Sequence, residues 1–328
     1  MRFLANNWRR MLLVVAVLLF AGLAYSHRIE LVRVKAVLGG GSWRLFLLAL
    51  MLQLGFFLWQ SAMFQQILRI WLPVRFRDIL RVTLASNSVN KLVPSGGISG
   101  LVLFMTQAKE NGVEMGLSLL ANMLFYILDY LSFLLLVWAG VFYYSQTMYM
   151  GHATLLAVTV FSIIIMLIAI LLGIILKNST KFGPWLEKLW TSIPFRRDYF
   201  MHQLPQLKNV LSLVENKTGR MGQPLTLAFL AGLAMQLTDV VILYLCFATI
   251  GYNANWGMVV AGFGLATVLT LVSMVPQGIG IYETAMTWIY VQMGIPFEIA
   301  VTVALLYRAV TFWFAIIPGL FTIRRKDA

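Results

Sequence analysis

Cysteine is almost missing from this sequence. Cys246 is the single one in 328 residues, so no internal disulfide and no cysteine metal cluster can form within the chain. Histidine is nearly as scarce, and His27, His152 and His202 are far apart in connecting segments, which leaves no metal ligand set and no histidine-based catalytic pair. Charge is sparse too: 11% of residues are Asp, Glu, Lys or Arg, against about 25% in a soluble domain. No glycine-rich phosphate loop closing on Gly-Lys-Ser/Thr occurs, which argues against a nucleotide-driven machine. No Gly/Ser linker or low-complexity tract splits the chain. The expectation is one domain over residues 1–328, with no cofactor, no metal and no enzymatic activity.

What fills the sequence instead is apolar: 60% of residues are hydrophobic and the mean hydropathy is +0.84. The apolar runs are long and nearly uncharged, as membrane-crossing helices require, whereas barrel strands would alternate. Six runs are long enough to cross: about 11–25, 44–68, 115–144, 153–176, 225–250 and 298–323. The first, behind Arg2, Arg9 and Arg10, also has the shape of a signal peptide with a cleavage site near Gly22-Leu23-Ala24. An uncleaved first span is expected. The net charge of +13 does not imply nucleic acid, because the basic residues lie between the apolar runs, where cytoplasmic loops carry them.

Two further apolar segments, 79–108 and 257–293, are interrupted by "NKLVPSGGISG" and "SMVPQGIGIYE". Loop charges decide how they sit. Arg69, Arg75, Arg77 and Arg81 stand against Asp78 before the first. The long loop 177–220 holds eight Lys/Arg against three acids, and the turns 145–152 and 251–256 hold no Lys, Arg, Asp or Glu. Placing the basic regions in the cytoplasm requires both interrupted segments to enter and leave on one face, the first from the cytoplasm and the second from outside. The loop 26–44, with Arg28, Arg33, Lys35 and Arg44, falls outside in this scheme and counts against it. Within 177–220, Leu204, Leu207, Leu211 and Val214 recur at helical steps, as in an amphipathic helix on the cytoplasmic surface.

A proline-glycine break frees backbone N–H and C=O groups, which the membrane tolerates only where protein or a water-filled cavity surrounds them. Val93-Pro94-Ser95-Gly96 aligns with Val275-Pro276-Gln277-Gly278, and matched breaks in two halves point to inverted repeats around a transporter-type site. V-P-x-G is short, and coincidence is the competing reading of the letters. The fold expected is therefore an all-α polytopic membrane protein of about six full spans plus two broken re-entrant segments in an inverted-repeat arrangement.

Each break leaves a half-helix whose free N–H groups and positive dipole end suit an anion. Ser95, Gly96 and Gly97 at the first break, and Gln277, Gly278 and Gly280 at the second, are candidate headgroup contacts, with Asn87, Asn90 and Lys91 approaching the first. Charged residues inside spans are costly and so are functional candidates. Arg308 and Lys91 can hold a lipid phosphate, while Asp129, Asp239 and Glu283 can receive an amine or carry the proton of a coupled cycle. The competing reading for each is a structural one, such as an Arg308–Asp pair locking two helices.

The polar approach into "NKLVPSGG", then "VPQGIGIYE", then Arg308 in the last span, resembles the lysylphosphatidylglycerol synthetase transmembrane family, described as flippase-like. Pro94, Gly96 and Gly97 resemble its first motif. Pro276, Gly278, Gly280 and Glu283 resemble its second, and Arg308 its following arginine. Here the residues after the first glycines delay charge until Lys109, a departure from the family pattern. Bifunctional members carry a soluble aminoacyl-transferase domain after the membrane region. The sequence in hand ends at Ala328, so the lipid is expected to be made elsewhere. The resemblance implies a lipid translocase of the bacterial inner membrane; the loop charges place both termini in the cytoplasm, and the half-helix starts suit an anionic, phosphate-bearing membrane lipid as partner. The alternatives are a non-transporting lipid-binding partner of a separate lipid or glycolipid synthase, and an enzyme using Asp129, Asp239 or Glu283 as base.

Overall fold

A computed structural model describes residues 41–93, 98–110, 112–147, 152–177, 221–273, 278 and 280–322. All of their regular structure is helical. In chain order the helices are α1 (Trp43–Arg69), α2 (Phe76–Leu92), α3 (Ile98–Glu110), α4 (Met115–Thr147), α5 (His152–Lys177), α6 (Gly222–Thr249), α7 (Trp256–Val272), α8 (Ile281–Gln292) and α9 (Phe297–Arg308). A π-helical turn (Ala309–Phe314) then leads into α10 (Ala315–Leu320). Among the described residues, five stretches are long and apolar enough to cross a membrane: Trp43–Arg69, Met115–Gln146, Leu155–Ile175, Gly222–Thr249 and Phe297–Leu320. They coincide with five of the six expected spans. The sixth, 11–25, and the amphipathic loop 177–220 lie outside the described residues.

The two interrupted segments are helical hairpins. Helix α2 ends at Leu92 because Val93 is extended (φ −108, ψ 113), the conformation that a following proline imposes. Helix α3 then folds back along α2, bringing Gly100 against the Ser86 carbonyl and the Asn90 side chain, where an added Cβ would lie 2.8 Å from each. In the second hairpin Gly278 faces Thr270 near the tip, and the Tyr290 hydroxyl donates to the Val259 carbonyl (3.2 Å) toward the open end. That pairing makes α7 and α8 antiparallel. Gly278 and Gly280 have φ of +57 and +80, a region that side-chain-bearing residues enter at a cost, so this chain reversal depends on them. From Arg81 to Leu92 helix α2 rises about 17 Å, about half the thickness of an about 30 Å hydrocarbon core.

The halves are inverted copies. Each is a long helix, a hairpin and a second long helix: α1, α2–α3, α4, and again α6, α7–α8, α9–α10. The leading hairpin helices α2 and α7 are both 17 residues long. The leading long helices α1 and α6 pack together antiparallel, because the Ser42 N–H at the start of α1 donates to the Thr249 carbonyl at the end of α6 (2.8 Å), while Met63 meets Gly232 further along. The hairpins that follow them therefore enter from opposite ends. Partners are exchanged across the same pseudo-axis: α4 of the first half packs on α7 of the second, and α10 of the second packs on α2 of the first. Even the register repeats, since Val137 packs against Gly264 in one contact and Gly319 against Leu84 in the other. Those pairs map onto each other by shifts of 180 (84 to 264) and 182 (137 to 319). At both crossings a glycine lets the backbones approach closely.

Burial follows this plan. One apolar cluster centres on the second hairpin with Phe133, Phe247, Phe263 and Tyr290, and another on the first with Phe64, Phe104, Leu117 and Phe125. In the latter Phe64 stacks on Phe125 at 4.1 Å. Helix α5 is peripheral, and its Leu156, Ile163, Leu167 and Leu171 are exposed, as lipid-facing side chains are.

Candidate functional site

Polar side chains gather where the first hairpin meets α1, α4 and α6. Successive turns of α2 carry Thr83, Ser86, Asn87 and Asn90 on one face, which looks into a cavity of about 170 Å³. Gln60 of α1, with Asn122 and Asp129 of α4, completes its polar wall, and Phe56, Phe104, Phe125 and Tyr126 supply apolar cover. The Asn87 amide donates to Gln60 Oε1 (2.6 Å) and to the Thr83 carbonyl (3.0 Å). The Asn122 amide donates to the Ser118 carbonyl (2.9 Å). Asp129 Oδ1 accepts from Gln236 Nε2 of α6 at 2.7 Å, so the carboxylate is held by a neutral donor. Thr83 Oγ1, Ser86 Oγ and Asn90 Oδ1 are buried without a hydrogen-bond partner.

Beside this cavity lies a charged cluster. Lys91 points away from it, its ammonium donating to the Thr311 carbonyl (2.9 Å) and lying 5.7 Å from the Phe312 ring centre. Arg308 Nε donates to Glu283 Oε1 at 2.7 Å. Its guanidinium lies over Phe312 (4.5 Å) and Tyr282 (5.4 Å), two contacts that suit its planar, weakly hydrated head. Asp239 of α6 faces Tyr307 and lies within electrostatic reach of both Lys91 and Asp129. The π turn begins at the residue after Arg308 and frames the Thr311 carbonyl and the Phe312 ring. A π turn inside an α-helix is a rare feature that recurs at functional sites.

The structure thus draws together residues from both halves. Lys91, Asp239, Glu283 and Arg308 form the charged cluster, and Asn87, Asn90 and Asp129 the neighbouring cavity. Adjacent residues Asn90 and Lys91 divide between the two. Among the described residues Arg308 pairs with Glu283, where the locking alternative supposed an aspartate. Gly278 and Gly280 shape the second break. Ser95, Gly96, Gly97 and Gln277 lie outside the described residues. Sequence reasoning missed Gln60 and Gln236, because single glutamines in long apolar helices carry no pattern. It also missed Tyr282, Tyr307 and Phe312, because single aromatic residues in an aromatic-rich apolar sequence carry no pattern either.

Five crossing helices, two opposed hairpins and ionisable groups gathered inside define a multi-pass membrane protein built from inverted halves. The chain belongs to the family described as lysylphosphatidylglycerol synthase TM region, which it matches over residues 8–319. It is similar to a UPF0104 membrane protein of Methanocaldococcus jannaschii, 23% identical over 252 residues that cover 74% of this chain and 73% of the relative. A UPF0104 membrane protein of Pyrococcus horikoshii is 21% identical over 265 residues, covering 75% and 76%. A third, from Methanothermobacter thermautotrophicus, is 32% identical over 85 residues, 26% of this chain and 25% of the relative.

Proposed function

We propose that this protein is a lipid translocase that carries a phosphate-bearing headgroup through the interior between its two halves while the acyl chains remain in the bilayer. The observation that carries this reading is the convergence of Lys91, Asp239, Glu283 and Arg308, from four different helices of both halves, beside a polar cavity at the depth of a broken hairpin. Ionisable groups inside a membrane mark substrate or ion pathways, and paired broken helices flank the sites of transporters built from inverted repeats. Lys91 supplies a point charge and Arg308 a planar fork, the two means by which proteins hold phosphate. Exchange of the Glu283 carboxylate for a phosphate would let Arg308 keep a paired anion at every stage. Asp129, Asp239 and Glu283 outnumber the two cations, so one acidic charge is left for a proton or an amine to neutralise, which supports movement coupled to an ion gradient. The cytoplasmic membrane of the cell is the setting this reading requires.

Purified protein in liposomes with a fluorescent phospholipid tests it. Added dithionite quenches the outer leaflet, and continued decay reports lipid arriving from the inner one. The expected result is exchange well above protein-free liposomes, slowed at least tenfold by Arg308→Ala or Asp129→Asn. Lipid binding without exchange would instead make the protein a lipid-binding partner of a separate synthase, and a change in the lipid's mass would make it an enzyme.

A further inference from the structure

We infer that the cavity in the first half is a subsite for a neutral, hydroxylated group, a sugar or polyol, and that it reads the part of the headgroup beyond the phosphate. This rests on the reading above and names its substrate class. The wall chemistry selects the guest. Among the described residues no Lys or Arg lines the cavity, and Asp129 does, so a phosphate placed inside would meet a carboxylate and none of the described cations. An ammonium has three donors and no acceptor. It would suit Asp129 and Asn90 Oδ1 but leave the amide donors of Gln60 and Asn90 unanswered. A hydroxyl donates and accepts at once, and the wall alternates the same way: Thr83 and Ser86 hydroxyls, carboxamides of Gln60, Asn87, Asn90 and Asn122, and one carboxylate.

Three wall oxygens, Thr83 Oγ1, Ser86 Oγ and Asn90 Oδ1, are buried with no partner, although Thr83 is only 1% exposed and Ser86 9%. Buried polar atoms in a folded protein are nearly always paired, and an unmet one costs stability. Their retention on one face of α2 fits a ligand that pairs them. Phe104, Phe125 and Tyr126 also line the cavity, and aromatic rings suit the C–H groups of a sugar. Gly100, which borders the cavity, corresponds at the 182-residue shift of the motifs to Tyr282, whose ring stacks on Tyr307 at 5.9 Å. A glycine thus stands in one copy of the repeat where a stacked tyrosine stands in the other.

The test is equilibrium binding to the full chain in detergent, with phosphatidylinositol, phosphatidic acid, phosphatidylethanolamine and free myo-inositol as probes. The expected result is at least tenfold tighter binding of phosphatidylinositol than of phosphatidic acid or phosphatidylethanolamine. The double variant Thr83→Val/Ser86→Ala should cut that preference by about tenfold, as loss of two neutral hydrogen bonds predicts. Its ligand-free form should unfold no more easily than wild type, since the groups removed have no protein partner. A preference that survives in the double variant, or equal binding of phosphatidic acid, overturns the inference and leaves the translocase reading standing. Preferred phosphatidylethanolamine binding overturns it in favour of an amine site. If free myo-inositol binds as tightly as the lipid, the polyol subsite stands and the lipid reading fails. Absence of binding to all four probes overturns both.

Discussion

Arg308 is expected to fix the second hairpin and to hold the substrate, and paired substitutions separate these roles. Arg308→Gln leaves Glu283 23% exposed, with Oε2 unpartnered and Oε1 deprived of its cation. Breaking a fully buried pair from one side typically costs about 3–5 kcal/mol, because the remaining charge is uncompensated, and this part-buried pair should fall at the lower end of that range. Loss of the ring contacts to Phe312 and Tyr282 adds about 0.5–2 kcal/mol. Adding Glu283→Gln removes the stranded charge and restores an amide pair, so the double variant should recover about 2–3 kcal/mol of the deficit, a coupling within the range for residues in contact. Cys246 provides the assay. It is the single cysteine in the chain and fully buried, so a thiol-reactive dye that fluoresces on coupling reports unfolding without any added label. Lipid exchange should behave differently. It should be slow in both the single and the double variant, and only partly retained by Arg308→Lys, which keeps the charge but loses the two-pronged geometry. A single variant as stable as wild type would refute the energetic reasoning. Normal exchange in the double variant would reduce Arg308 to a helix lock.

Three further outcomes follow from the packing. Gly280→Ala, at φ +80, should destabilise by about 1–2 kcal/mol, read by the same dye, and should slow exchange because α8 starts there. Gly100→Leu should press on the Ser86 carbonyl and Asn90 and push α3 away from α2, so stability and phosphatidylinositol preference should fall together; unchanged preference would place the ligand elsewhere. Phe64→Ala should cost about 3–5 kcal/mol, since it removes a ring stacked on Phe125 and packed 4.5 Å from Phe104.

Much of the architecture was legible in the residues for plain reasons. A run such as 222–249 admits only one state in a bilayer, and the proline-glycine interruptions mark where it cannot continue. The loop arginines then gave the opposed hairpins, which the antiparallel α1–α6 contact bears out. The site was legible where charge sits against the hydrocarbon, at Lys91, Asp129, Asp239, Glu283 and Arg308. Partners were not. Glu283 and Arg308 are far apart in sequence, and their pairing depends on how α8 and α9 cross. Gln60 meets Asn87 only because α2 lies along α1. The π turn was invisible because "AVTFWF" reads as any apolar helix. The difference between halves, Gly100 in one and Tyr282 in the other, shows only once the register of the two copies is known.

A lipid translocase of this kind requires a polar, water-reachable cavity at mid-membrane depth in the first half, and single cysteines measure it directly. Because native Cys246 is buried, Asn90→Cys and Ile163→Cys can each be probed with a charged, membrane-impermeant thiol reagent in intact liposomes. The account predicts fast modification at 90, slowed by added phosphatidylinositol, and none at lipid-facing 163. Equal silence at both positions would mean that no wet path reaches the first hairpin, and would contradict it.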